Sequence, residues 1–259
     1  MKFLVANDDG IFAPGIKMLA ETLAPFGTVA VVGPTEEQSG MGHAITVHRP
    51  LRVQAVDVIP QSAKSFTVDG TPADCVKMAV QGLGLTPDIV MAGINLGSNL
   101  GTDVLYSGTV SAAMEGVILG IRAIAVSLCG PQTYLSTAGH YVRKILLEDP
   151  GILNQPNLVP QDGLLNINIP AVPIEEVKGI RVTRLGVRKY ENLFEKRVDP
   201  RGNTYFWMGG KPQLTESSDL DIDIVAVEQG YVSITPIQFD LTYHSLVDEL
   251  QTVLNKEYI

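Results

Sequence analysis

Residues 2–10 constrain the chain most. They read K-F-L-V-A-N-D-D-G: the apolar run 3–6 suits a strand buried on both faces, and Asn7, Asp8, Asp9 and Gly10 end it in a turn. Pro14 then opens a helical pattern that puts Ile16, Leu19, Ala20 and Leu23 on one face. The two carboxylates therefore lie on the turn between a buried strand and a helix. In an open α/β sheet such a turn is at the carboxyl edge, where ligands bind. Two adjacent carboxylates about 5 Å apart repel by roughly 3 kcal/mol at an effective dielectric of about 20. A bound cation removes that repulsion; a solvated turn is the alternative reading.

The same strand-then-helix alternation continues down the chain. Residues 29–32 (V-A-V-V) form a second buried strand, followed by the polar, glycine-bearing loop T-E-E-Q-S-G-M-G at 35–42. Residues 43–47 and 51–56 read as extended segments around Pro50, and 65–68 as a strand. Thr71, Pro72 and Asp74 open a helix to about residue 81. A strand at 88–92 empties into a long glycine- and asparagine-rich loop, 93–103, of the length that is usually functional. A helix follows Ser107-Gly108-Thr109, with small Ala112, Ala113 and Gly116 for close packing. A strand at 122–128 and a helix at 134–148 complete the pattern of a Rossmann-like, doubly wound, mostly parallel α/β sheet.

Beyond Pro150 the texture changes. Residues 164–169 are a strand; 179–207 carry many charges without helical period, with extended stretches at 180–185 and 204–208. This reads as an antiparallel excursion, a β-rich arm for contact with another subunit. Residues 214–223 read as an acidic loop, 224–227 and 231–235 as a hairpin around Glu228-Gln229-Gly230, and 241–254 as a terminal helix.

With 28 acidic against 19 basic residues and a net charge of −9, the chain disfavours polyanions, so no nucleic-acid polymer is expected as partner. A small anion needs a local device such as a metal or a helix N-terminus. Cys75 and Cys129 lack metal-ligand spacing, the start has no signal-peptide pattern, and no apolar run reaches the about 18 residues of a membrane span. A cytoplasmic protein without membrane attachment is the expectation.

Three loops at strand ends supply oxygen groups: Asp8 and Asp9, Ser39, and Asn95. Carboxylate, hydroxyl and amide oxygens suit a hard cation, magnesium, manganese or calcium, rather than zinc. Turn chemistry alone also explains a Ser or Asn in such loops. Ser107-Gly108-Thr109 offers free backbone N–H groups and two hydroxyls to an anion, or an ordinary helix cap. Asn7, Asn99 and His43 stand near these motifs, with a structural role equally open.

M-K-F-L-V-A-N-D-D-G, the E-Q-S-G loop, D-G-T-P-A-D-C-V, G-I-N-L-G-S-N-L-G, Y-S-G-T-V-S-A-A-M-E-G and G-Y-V-S-I-T-P, in this order, resemble the SurE family of stationary-phase survival proteins. The resemblance runs from Met1 to about Leu250 and implies one SurE-like α/β domain over 1–259. Residues 1–150 would supply the core sheet and active-site loops. Residues 151–259 would supply the rest of the core, the arm, the hairpin and the terminal helix. It implies a metal-dependent 5′-nucleotidase that also acts on 3′-nucleotides, in a family some members of which also cut short polyphosphate. Asp8, Asp9, Ser39 and Asn95 would be ligands of one divalent cation per subunit, and the segment Ser107 to Thr109 would receive the phosphate. It also implies a homodimer or homotetramer formed by exchange of carboxyl-terminal elements.

Rival chemistries fit less well. A dinucleotide-binding turn would carry G-x-G-x-x-G where N-D-D-G-I-F stands, and an aspartyl-phosphate enzyme would carry D-x-D. A nucleotide sensor that keeps fold and metal without turnover remains a separate reading. Direct attack by water, with Asp8 or Asp9 orienting or deprotonating it, is the mechanism expected of an enzyme.

Overall fold

The structure is a computed structural model describing residues 1–60, 64–148, 151–155, 157–191, 194–213 and 217–257. β1 (Lys2–Ala6) leads through the Asp8–Asp9 turn into α1 (Pro14–Leu23), and β2 (Thr28–Pro34) returns parallel beside β1. β3 (Val53–Ala55) pairs antiparallel with β4 (Lys64–Val68), which is parallel to β2. α2 (Pro72–Lys77) starts in a reciprocal cap: the Thr71 hydroxyl accepts the Asp74 N–H and the Asp74 carboxylate accepts the Thr71 N–H. Then come β5 (Ile89–Leu96), α3 (Gly108–Ile118), β6 (Arg122–Cys129), α4 (Leu135–Val142) and β7 (Gly163–Pro170).

The remainder holds β8 (Ile180–Val182), β9 (Tyr190–Glu191), β10 (Phe194–Val198), β11 (Thr204–Met208), β12 (Lys211–Pro212), α5 (Asp223–Glu228), β13 (Val232–Gln238) and α6 (His244–Glu257). The nine-stranded sheet has the order β3-β4-β2-β1-β5-β6-β7-β13-β8, parallel from β4 to β7. The Rossmann-like, doubly wound reading holds. The order reverses beside β1: β2 lies on one flank and β5 on the other. The crevice at that switch point is where such folds bind ligands.

Alternation along β1 feeds two cores. Phe3 and Val5 pack with Leu19 and Ala20 of α1 and Ala138 and Val142 of α4. Leu4 and Ala6 pack on the other face with Cys75 and Val76 of α2 and Ala112 and Ala113 of α3. Each such side chain contributes about 1.5–3 kcal/mol on burial, so β1 is fixed from both faces and its turn projects from a rigid platform. Small residues bring α3 close, as expected: a Cβ on Gly116 would meet Val90 Cγ2 at 2.7 Å.

Four local expectations change. Residues 224–227 are helical, within α5, rather than one arm of a hairpin. A short β-branched run such as I-V-A-V reads as a strand, but the Asp223 carboxylate accepts the N–H groups of Gly101 and Gly186 and seats the segment as a helix. β13 instead enters the central sheet, antiparallel to β7 and parallel to β8. Residues 43–47 form no strand, and the 51–56 segment contributes only β3. The expected loop at 93 begins late, because β5 continues to Leu96. The extended stretch 204–208 is β11, and it pairs with β10 as an antiparallel hairpin outside the main sheet. Part of the expected acidic loop at 214–223 lies outside the described residues.

Candidate active site

Asp8 and Asp9 follow β1 after Asn7 alone, and Gly10, at φ +104°, closes the turn in a conformation only glycine adopts without strain. Ser39 comes from the loop after β2. That loop is latched to the turn by the Gln38 N–H, which donates to the Asp8 carbonyl at 2.8 Å. Asn95 stands near the end of β5, the neighbour of β1. Asp8, Asp9, Ser39, Asn95 and Ser107 line one open cleft, with Glu37, Asp103 and Tyr106 in its walls. The four residues expected as cation ligands thus converge at the switch point of the sheet.

The two carboxylates are held differently. Asp8 is 4% exposed, and the Thr109 hydroxyl donates to its Oδ1 at 2.5 Å. Gly108 stands against the same side chain, where a Cβ would meet the Asp8 Cβ at 2.7 Å. Burial raises the Asp8 carboxyl above its usual range, against hydrogen bonds from the Thr109 hydroxyl and N–H that favour its charged form. Asp9 accepts the Leu96 N–H at 3.2 Å. Burial first, and the Asp8 charge second, push Asp9 up to about 6. Among the described residues, no Lys, Arg or His forms an ion pair with either carboxylate.

The two neutral candidates are also pre-set. The Ser39 hydroxyl donates to Glu37 Oε1 at 2.7 Å, which leaves the oxygen lone pairs for a cation. The Asn95 side-chain NH2 donates to the Gly97 carbonyl at 2.9 Å, which fixes the amide and leaves its oxygen to serve a cation. An all-oxygen set with two uncompensated carboxylates fits a hard divalent cation. The cleft lining offers no imidazole or thiolate, the ligands zinc favours, and its two adjacent carboxylates belong to no group of three His, Cys, Asp or Glu gathered around a metal-sized space among the described residues.

The S-G-T segment divides its roles. Ser107 is the N-cap of α3: its hydroxyl oxygen accepts the Val110 N–H at 3.0 Å and so keeps its own proton to donate. Thr109 is fully buried, and its hydroxyl is already given to Asp8. It is therefore not the free phosphate donor that the sequence suggested. The anion at the start of α3 is, in part, Asp8 itself.

The second-rank residues all make contacts that hold the local structure, and Asn99 also lines the cleft. Asn7 donates to the Gly10 carbonyl at 2.7 Å inside the turn. His43 pairs with Glu115, which is 2% exposed and also takes Lys77 at 2.6 Å. Burial alone would raise Glu115, but hydrogen bonds from His43 and Lys77 hold it below its usual range. Asn99 is tied into the sheet: its N–H donates to Asn168 Oδ1, its side chain to Ser127, and its carbonyl accepts Asn166 and Asn168. Sequence reasoning missed Asn166 and Asn168, although asparagine at alternate positions of the buried run L-L-N-I-N-I was a visible signal. It also missed Glu37, which nothing in the sequence separates from Glu36.

The family model described as Survival protein SurE matches residues 3–192. The chain belongs to the SurE family. A SurE relative from Carboxydothermus hydrogenoformans, named 5′-nucleotidase SurE, is 51% identical over 97% of this chain and 96% of its own length. Another of the same name, from Natranaerobius thermophilus, is 48% identical over 96% and 97%. The crystal structure of the SurE protein from Aquifex aeolicus superposes with a TM-score of 0.78 at 40% identity, covering 98% of this chain and 99% of that one.

Proposed function

We propose that this chain is a metal-dependent 5′-nucleotidase that hydrolyses nucleoside 5′-monophosphates by direct attack of water. The convergence of Asp8, Asp9, Ser39 and Asn95 on one cleft at the β1/β5 switch point carries the reading, and the names of the full-length relatives support it. One magnesium or manganese ion per subunit, with calcium as a weaker candidate, supplies positive charge to the phosphate and acidity to a water when bound.

The protein's own groups do the rest. Thr109 fixes the Asp8 carboxylate in one orientation. Asp9, less buried and free of that hydroxyl, is the group placed to orient the attacking water and take its proton. The Ser107 hydroxyl and the Gly108 N–H, which helix geometry leaves without an intrahelical partner, receive phosphate oxygens. The resemblance to the SurE family extends the expected substrates to 3′-nucleotides and short polyphosphate.

The chain is also proposed to form a homodimer or homotetramer through its carboxyl-terminal elements. Phe194, Phe206, Trp207 and Met208 of the β10–β11 hairpin are exposed, as are Leu246, Leu250 and Val253 of α6. Cys75 and Cys129 are unpaired, in keeping with a reducing cytoplasm, and no described helix is long and apolar enough to cross a membrane. Phosphate release from a nucleoside monophosphate with manganese, against the same reaction with a chelator, tests the enzyme reading. Binding of nucleotide and metal without any release would make the chain a sensor.

A further inference from the structure

We propose that Arg188, from the base of the arm, is a positioning residue that cancels the charge of Asp103 in the wall of the active-site cleft and so admits the anionic substrate; this rests on the metal-phosphatase reading. The cleft that must accept a phosphate is lined by four carboxylates, Asp8, Asp9, Glu37 and Asp103. One divalent cation offsets two of those charges. Arg188 is the one cation that pairs with any of the four among the described residues: its Nη1 lies 3.2 Å from Asp103 Oδ2 and 2.7 Å from Ser98 Oγ. Both partners are shielded, at 17% and 18% side-chain exposure, so screening by solvent is reduced and the charge counts.

The pairing is built from far apart in the chain. Asp103 belongs to the loop after β5; Arg188 follows β8. The Thr102 hydroxyl donates to the Arg188 carbonyl, and the Arg188 N–H donates back to the same hydroxyl oxygen. The Asp223 carboxylate takes the Gly101 and Gly186 N–H groups together, joining the two segments a second time. The Tyr190 hydroxyl donates to Asp103 Oδ2 at 2.5 Å, a contact that orients this carboxylate without neutralising it. Backbone stitching alone would hold the segments, so the guanidinium adds charge to a placement that is already made.

That separation gives opposite signs for two ligands. In Arg188→Gln, an uncompensated Asp103 should attract a cation and repel an anion. Titration with manganese alone should show tighter binding, and inorganic phosphate should inhibit less, each by roughly fivefold, the size expected of one uncompensated charge in a partly shielded cleft. KM for a nucleoside monophosphate should rise with little change in kcat. Arg188→Lys should behave as the wild type, because both contacts run through a single nitrogen while Nε is buried without a partner. Asp103→Asn added to Arg188→Gln should restore both affinities.

Loosening of the wall would weaken manganese and phosphate together, and the double variant would not recover; either result overturns the proposal, as does an Arg188→Gln variant with both affinities unchanged. If Arg188→Gln does not fold, Asp103→Asn alone carries the test, with phosphate binding tighter and manganese weaker than in the wild type. Loss of all manganese binding in the wild type would instead refute the underlying metal reading, which distinguishes the two failures.

Discussion

The two walls of the cleft are made by opposite means. The Asp8–Asp9 wall is local: a strand buried on both faces stops, and its turn presents two carboxylates at the next positions in the chain. The facing wall, Ser98 to Tyr106, is assembled from a distance. Asn99 is anchored by Asn166 and Asn168 on β7, Gly101 by Asp223 on α5, and Asp103 by Arg188 and Tyr190. In the proposed function the first wall carries the charge that binds a cation, and the second sets the shape and charge that a substrate meets. Chemistry at such a site can therefore be encoded in a few adjacent residues, while its geometry depends on the whole sheet.

Substitutions sharpen the contrast. The largest effect is expected in the local wall: Asp8→Asn or Asp9→Asn should abolish metal-dependent phosphate release. Melting temperature without metal should be unchanged or slightly raised, because one member of a repelling, partly desolvated pair is gone. A collapse of folding in Asp8→Asn would show that the turn is structural. Asn168→Leu should act the other way, through stability. It leaves the buried Asn99 N–H without its acceptor, while the carbonyl keeps Asn166, at a cost of about 1–3 kcal/mol, read as a lower urea midpoint.

Thr109→Val lies between the walls. It removes a buried hydroxyl that donates to a carboxylate, a loss of about 1.5–3 kcal/mol, and the proposed site requires it to appear as weaker manganese affinity as well as a lower melting temperature. A variant that melts early yet binds manganese normally would reduce Thr109 to a support of the turn. Ser39→Ala and Asn95→Ala should weaken manganese binding less than either aspartate change, since water can take the place of a neutral ligand.

The smallest effect concerns Glu115, which sequence reading did not single out. Its carboxyl is held below its ordinary value of 4.5 in the folded protein, so the Glu115 contribution to stability is present above that value and is lost as pH falls through the lower folded one. Glu115→Gln should flatten the acid limb of a stability–pH curve.

The local wall was legible because its signals are adjacent: an apolar run, a polar turn, Pro14 and a helical stripe all lie within about twenty residues. The alternation of strands and helices from β1 to α4 was legible for the same reason. What escaped was long-range. Arg188 sits in a charged stretch whose pattern says only that it is solvated, yet it folds back beside Asp103, 85 residues earlier in the chain. Residues 224–227 carry a strand-like pattern, and only the Asp223 contacts to Gly101 and Gly186 turn them into a helix. Thr109 was visible as a helix-start residue, but its orientation toward Asp8 depends on how closely Gly108 lets α3 approach β1.

The central claim is that Asp8, Asp9, Ser39 and Asn95 hold one divalent cation on which hydrolysis depends. Calorimetric titration of the metal-free protein with manganese, paired with phosphate release from a nucleoside monophosphate on the same samples, tests it most directly. The account predicts one manganese site per chain, absent in Asp9→Asn, with release lost in step. Unchanged manganese affinity in Asp9→Asn, or full phosphate release in the presence of a chelator, would contradict it.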